Sequence, residues 1–252
     1  MLHFDDIVFG PIKSRRLGSS LGVNLLPSKG KLCNFDCIYC ECGWNKDGTQ
    51  DHTLPDYTAV SEALTEKIAG LAAEGVPVDS ITFSGNGEPT IHPDFPEIVD
   101  LVLALRDRYY PFAKVSVLSN ATMIGREKVR MALKRIDNPI LKIDASNDSL
   151  ISLINRPEGN YKLENVVRWL KDFCGDFILQ TMFLRSPDFD LSQQEQLDAW
   201  MDIVREIHPR EIMVYTIDRE TPDSTLSKYT VEQMREFVRP LSDEGFNIQI
   251  RG

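Results

Sequence analysis

Six short apolar runs rich in β-branched residues recur along the chain, and a segment of helical period follows each of them. The runs are 22–26, 80–84, 114–119, 140–144, 177–184 and 211–217. Each is nearly continuous in apolar character, as parallel strands covered on both faces require. The helical segments between and after them are 57–74, 96–108, 126–135, 162–172, 192–207 and 231–241, and 246–250 reads as a last short strand or tail. Strand-then-helix units in series predict an α/β fold with a parallel sheet and right-handed crossovers. Six units fall short of the eight that close a TIM barrel, so the expectation is a partial (β/α)6 TIM-type barrel. An active site then belongs at the C-terminal ends of the strands.

Local signals punctuate these elements. Asp56 is placed to cap the first helix, Ser192-x-x-Glu195 fits a capping box, and Gly75 and Gly245 follow helical runs as stops. No linker, repeat or low-complexity tract divides the chain. The expectation is a single domain over 1–252 with an N-terminal extension over 1–20.

Composition narrows the function classes. With 42% hydrophobic and 26% charged residues the chain is expected to fold throughout. No apolar run approaches ~18 residues, and Met1-Leu2-His3-Phe4-Asp5-Asp6 lacks the pattern of a signal peptide, so a cytoplasmic protein without a membrane span is expected. A net charge of −10 disfavours broad affinity for nucleic acid. The basic stretch Arg126, Lys128, Arg130, Lys134, Arg135 spreads around a helix and reads as a solvated face.

The chemistry concentrates in Cys33-Asn34-Phe35-Asp36-Cys37-Ile38-Tyr39-Cys40, on the loop after the first strand. Three thiolates at spacings of four and three can face an iron–sulfur cubane from one loop. Three ligands leave one iron open to a cofactor or substrate. The competing readings are a zinc site with Cys42 as fourth ligand, a disulfide, and chance clustering of inert thiols. Cys42 and Cys174 remain over, and no second group of three cysteines points to an auxiliary cluster.

This C-x3-C-x-aromatic-C segment resembles the signature of the radical S-adenosylmethionine (SAM) superfamily. The resemblance implies a radical SAM core in which Cys33, Cys37 and Cys40 hold a [4Fe–4S] cluster and SAM chelates the fourth iron. It places Tyr39 near the adenine. Ser84-Gly85-Asn86-Gly87-Glu88-Pro89-Thr90, at the end of the second strand, resembles the family's glycine–glycine–glutamate motif, which binds the methionyl amino group. Its one inserted or substituted position leaves open which of Ser84, Gly85, Asn86, Gly87 and Glu88 makes the contact. Ser119-Asn120-Ala121-Thr122 is similar to the family's Thr-Asn-Gly strand end and brings in Asn120. After the fourth strand, Asp144 is a candidate for the ribose and Ser146 for the SAM carboxylate, or both cap the next helix. Arg156 stands as a carboxylate clamp or a surface arginine, Met182 as core, and Tyr215 and Arg219 as strand-end residues where a substrate would lie.

The implied activity is reductive cleavage of SAM to methionine and a 5′-deoxyadenosyl radical that abstracts hydrogen from a substrate; no residue is assigned as catalytic. A one-electron reductant such as flavodoxin or ferredoxin is the implied partner, and Cys42 a candidate hydrogen donor. The segment Phe9-Gly10-Pro11-Ile12-Lys13-Ser14-Arg15-Arg16-Leu17-Gly18 is similar to a branch holding iron–sulfur oxidoreductases and relatives of the tRNA wybutosine-synthesising enzyme. A modified tRNA nucleoside, a peptide and a small metabolite all stay open as substrate. So do two other classes, a non-catalytic iron–sulfur electron carrier or sensor and a zinc-stabilised binding module.

Overall fold

The computed structural model describes residues 3–14, 17–47 and 53–252. Met1, Leu2, and Arg15 and Arg16 of the N-terminal segment lie outside the described residues.

In chain order the elements are β1 (Val8–Ser14), β2 (Gly18–Val23), α1 (Tyr57–Ala73), β3 (Ser80–Phe83), α2 (Phe95–Tyr109), β4 (Lys114–Ser119), α3 (Glu127–Leu133), β5 (Asn138–Lys142), α4 (Asp148–Ile154) and α5 (Leu163–Lys171). There follow β6 (Ile178–Met182), β7 (Leu184–Arg185), α6 (Gln194–Ile207), β8 (Glu211–Tyr215), β9 (Ser227–Lys228), α7 (Val231–Asp243) and β10 (Ile248–Arg251). Eight strands form one sheet in the order β1-β2-β3-β4-β5-β6-β8-β10, and β7 pairs with β9 in a separate ribbon. Within the eight-stranded sheet every pairing from β2 to β10 is parallel, and the β7–β9 ribbon is antiparallel. The six expected units therefore lie side by side in chain order. Two strands extend the sheet beyond them. β1, expected as an extension, pairs antiparallel with β2, and β10 adds to β8. Among the described residues β1 and β10 each have a neighbour on one side, so the sheet is open there.

The first strand ends earlier than its apolar run, at Val23, because Asn24 turns the chain: its Oδ1 accepts from the Leu26 amide at 3.3 Å. Asp56 caps α1, accepting from the Ala59 amide at 2.8 Å. Ser192 forms no capping box. Its hydroxyl donates to Asp190 Oδ1 at 2.7 Å, and α6 begins after Gln193 without a side-chain cap. The box occurs instead at Thr230 and Gln233, ahead of α7. In that capping, side chains satisfy amides that the first helical turn leaves unpaired.

The helix-facing sides of the strands carry the core. Leu21, Val23, Ile81, Phe83, Val115, Val117, Leu141, Leu179, Ile212 and Val214 are all buried against the helices. Val60, Leu64 and Ile68 on α1 and Trp200, Met201 and Val204 on α6 repeat at helical spacing and close over them. The opposite faces differ from strand to strand. β2, β3 and β4 present Ser20, Ser80, Thr82 and Ser116, whereas Ile140, Ile178 and Met213 form an apolar cluster on β5, β6 and β8.

At the N-terminal ends of the strands Asp137 accepts from Arg106 Nη1 at 2.7 Å, Lys114 Nζ at 3.3 Å and the Val115 amide at 2.9 Å. Burial opposes its ionisation, but the Val115 amide, Arg106 and Lys114 outweigh that and hold its carboxyl below the usual range. A depressed folded-state pKa stabilises above the unfolded value, about 3.9, and the gain is lost as pH falls through the folded one. Asp137→Ala is expected to cost about 1–2 kcal/mol at neutral pH. In urea titrations the gap from wild type should narrow below about pH 4. A gap independent of pH would show that the carboxylate's charge contributes nothing.

Candidate functional site

The cysteine loop leaves β2 and returns over the C-terminal ends of the strands, held by its own backbone and by neighbours. The Asp36 and Ile38 amides donate to the carbonyls of Asn155 and Ile154, at 2.9 and 3.0 Å. Asn45 Nδ2 donates to the Cys33 carbonyl at 3.0 Å, and Asp36 Oδ1 accepts from the Asn45 amide at 2.7 Å. Leu32 pairs with Gly87 as a parallel bridge: its amide donates to Asn86 O at 2.9 Å and its carbonyl accepts from the Glu88 amide at 3.1 Å. The glycine at 87 is what permits this. Its φ is +139°, and a Cβ there would stand 1.9 Å from the Leu32 carbonyl oxygen. The glycine thus serves a close approach to the cysteine loop itself.

Cys37 is buried and Cys33 and Cys40 are half-buried. Donors point at two of the three sulfurs. Cys37 Sγ receives Asn155 Nδ2 at 3.3 Å and Lys142 Nζ at 3.5 Å. Cys33 Sγ receives the Phe35 amide at 3.4 Å and Asn120 Nδ2 at 3.6 Å. Lys31, with a side chain only 3% exposed, lies under the loop and donates to Gly43 O at 2.8 Å and Asp36 Oδ1 at 3.2 Å. Burial pushes the Cys33 and Cys37 thiols up, and Lys142 pulls Cys37 part of the way back. The Cys42 side chain, against burial and with help from Lys31, holds Cys40 down at about 5. The Cys42 thiol is also within 3.5 Å of Gly85 O.

Among the described residues no three His, Cys, Asp or Glu side chains converge on one point as a single metal ion requires. A cluster makes a different demand, since each thiolate then binds a different iron and the sulfurs stand apart. Lys31 and Lys142, each also paired with a carboxylate, and two side-chain amides surround the sulfurs, which suits an anionic sulfur-bound group. Buried thiols with raised pKa become thiolates when a bound cation supplies the charge. The donor set therefore fits an iron–sulfur cluster.

A cavity of about 550 Å³ opens beside the loop, within the size range of ligand pockets. Tyr39, Cys40, Ser84, Gln180, Met182 and Tyr215 line it. Of the nine residues expected to contact SAM, Tyr39 and Ser84 face this cavity. The other seven do not border it, and several tie the surrounding segments together. Asn86 is buried, donating to Phe4 O at 2.7 Å and Pro27 O at 2.9 Å and accepting from the Phe4 amide at 3.0 Å. Glu88 is buried and takes four donors: the Thr90 amide and hydroxyl, the Ser119 hydroxyl at 2.9 Å and the Asn120 amide at 2.6 Å. Burial pushes its carboxyl up against those four. Asp144 accepts from the Tyr39 hydroxyl, from Asn155 Nδ2 at 2.6 Å and from the Met182 amide at 3.0 Å. It ties the cysteine loop to β6 and is buried, outside the cavity lining. Asn120 spans Cys33 and Asn34, and Ser146 donates to Gln196 Oε1 at 3.0 Å. Gly85, at φ +142°, packs against the Asn24 side chain.

Arg156 is exposed and folds its guanidinium over the Trp44 ring, 4.5 Å from the centroid, so of its two expected roles the surface arginine describes it. Tyr215 and Arg219 border the cavity as expected, and Arg219 pairs with Glu41 of the cysteine loop at 2.5 Å. Lys31, Lys142 and Asn155 carry parts that the sequence did not assign. Their signal was faint: Lys142 and Asn155 are polar residues beside Asp144 and Arg156, and Lys31 is one of two lysines in the loop before Cys33.

The sequence profile of the Radical SAM superfamily matches residues 28–185, well over half of the chain. A GTPase Obg of Brachyspira hyodysenteriae is 29% identical over 233 residues, which is 91% of this chain and 32% of that protein. A UPF0026 protein of Helicobacter pylori is 30% identical over 216 residues, 84% of this chain and 67% of that protein. This chain thus spans about a third of the first relative and two thirds of the second. Among solved structures, Streptococcus suis SuiB bound to S-adenosylmethionine superposes with a TM-score of 0.64 at 16% identity, covering 88% of this chain and 49% of that one. The profile match includes the cysteine loop and the ends of β3 to β6, where the bracing residues meet. The chain belongs to the radical SAM superfamily.

Proposed function

We propose that Cys33, Cys37 and Cys40 hold a [4Fe–4S] cluster and that the adjoining cavity takes SAM at the open iron. The observation that carries this is the convergence of buried donors on two of the three sulfurs at the edge of a ligand-sized cavity. Bound together, the pair supplies one-electron cleavage of SAM to methionine and a hydrogen-abstracting 5′-deoxyadenosyl radical. The protein's own part is positional. Asn155, Lys142 and Asn120 orient the thiolates and offset their charge, as partners behind first ligands do. Tyr39, pinned by Asp144 and by Lys142 Nζ at 2.9 Å, offers a fixed ring to the cavity, and Ser84 offers polar atoms beside it. Burial and Asp144 keep the Tyr39 hydroxyl protonated, with its pKa well above 10.

The wider reading has three parts. Ile12 of β1 and Arg251 of β10 border the same cavity, which supports a partial barrel over a single domain of 252 residues. Free cysteines suit a reducing, cytoplasmic setting, and no described helix is long and apolar enough to cross a membrane. The resemblance to the wybutosine-related branch and the need for an electron donor such as flavodoxin or ferredoxin belong to the same proposal.

The test is anaerobic reconstitution with iron and sulfide, followed by reduction in the presence of SAM. About four irons and four sulfides per chain and release of 5′-deoxyadenosine are expected. A full cluster without SAM cleavage would favour the electron carrier, and one zinc without sulfide the binding module.

A further inference from the structure

The floor of the cavity is polar on one side in an unusual way. Ser20 and Thr82 line it, and behind them runs a ladder of side chains across four neighbouring strands. Ser20 Oγ is 2.8 Å from Thr82 Oγ1, which is 3.1 Å from Ser80 Oγ; that lies 3.0 Å from Ser116 Oγ, and Asn138 Nδ2 stands 3.2 Å from Ser116. Ser80 and Ser116 are fully buried. Each hydroxyl has a single proton, so the direction of the ladder is set at its end. Arg210 Nη2 donates to Asn138 Oδ1 at 3.0 Å, and a guanidinium can only donate. That fixes the amide so that its NH2 faces Ser116. Ser116 must then donate to Ser80, Ser80 to Thr82 and Thr82 to Ser20. Among the described residues Ser20 Oγ has no other partner, so its proton is left for the cavity.

Two further features bear on what would accept that proton. Lys13 and Arg251 border the cavity from the two edge strands, and neither is in an ion pair among the described residues. The far wall is apolar: Leu17, Leu118 and Ile140 line it, backed by Ile178 and Met213. Ser20 is the third residue of β2, whereas the cysteine loop departs beyond the other end of that strand, so the floor lies away from the thiols.

We propose that this floor is the substrate subsite of the radical SAM site and takes a small molecule with an apolar body ending in an oxyanion, a carboxylate or a phosphate. The proposal rests on the functional reading above for the word substrate, but the binding it requires does not. The Ser20 hydroxyl donates to the anion, Lys13 and Arg251 supply positive charge, and the apolar wall covers the body.

The experiment titrates the anaerobically reconstituted full chain with hexanoate, hexyl phosphate, hexan-1-ol and hexylamine, following ligand line-broadening by NMR. At least one of the two anions should bind about tenfold tighter than the alcohol, and the amine weakest. Which anion leads tells carboxylate from phosphate. Ser20→Ala should remove about tenfold from the preferred anion. Asn138→Asp should remove a similar factor from outside the cavity, because an acceptor at 138 turns every hydroxyl of the ladder around. Binding of both anions no tighter than hexan-1-ol, or an anion affinity unchanged in Ser20→Ala, overturns the proposal. Iron content and SAM cleavage are read on the same preparation. Anion preference without SAM cleavage leaves the subsite standing and removes the functional reading, and the converse removes the subsite alone.

Discussion

Cys33→Ala, Cys37→Ala and Cys40→Ala are each expected to lose the full complement of iron and sulfide and, with it, SAM cleavage by more than about a hundredfold. Changing a residue that merely supports a metal ligand costs about 10–100-fold. Removing a ligand has to exceed that, because two thiolates and a methyl group cannot hold a cluster that still needs an open iron. The fold should survive: a free buried cysteine packs as a small hydrophobe, so the melting temperature should move little. Cys174 provides the control. It is exposed, sits in the turn after α5, and its thiol lies 3.9 Å from the Asp172 carbonyl. Cys174→Ala should assemble and cleave like wild type, and equal loss there would show that the ligand set is misassigned. Asn155→Ala should fall between, losing about tenfold in cluster occupancy at limiting iron while its three sulfurs remain.

The sequence made the order of the sheet legible because parallel strands covered on both faces leave continuous apolar runs that no surface segment imitates. It made the cysteine loop legible because three thiols in eight residues have few other uses. It hid β1, whose Gly10, Pro11 and Lys13 break any strand pattern and which pairs only at the edge of the sheet. It misplaced the capping box, because Ser192 finds a nearer partner in Asp190 than in a helix amide. Least legible were the protein partners of the polar residues at strand ends. Glu88, Asp144 and Asn86 were read as ligand contacts because carboxylates and amides at strand tips are chemically able to be so. Whether such a group faces outward or is used up by neighbouring backbone depends on contacts 32 to 82 residues away in the chain, such as Asn120 to Glu88 or Phe4 to Asn86. Spacing along one segment carries no trace of those.

Glu88 gives the sharpest test of that difference. If its carboxylate contacted the amino group of SAM, Glu88→Ala would weaken SAM binding and leave stability alone. In the structure the carboxylate instead bolts the end of β3 to the end of β4, accepting from Thr90, Ser119 and Asn120 in a site from which water is excluded. The alanine variant leaves the Asn120 and Thr90 amides buried without acceptors, each costing about 1–3 kcal/mol, while the two hydroxyls can turn elsewhere. A loss of about 3 kcal/mol is expected, which for a chain of this size lowers the melting temperature by roughly 6–12 °C. The variant should also bind iron less tightly, because Asn120 donates to Cys33 Sγ and the Glu88 amide holds the Leu32 carbonyl beside it. Glu88→Gln separates charge from shape. It keeps one oxygen for Thr90 and Ser119 but sets an NH2 against the Asn120 amide, so it should recover about half of the lost stability. Differential scanning fluorimetry and iron analysis of the three proteins decide the matter. A Glu88→Ala variant that melts with wild type, keeps its iron and loses only SAM affinity would move this carboxylate from the frame into the ligand site.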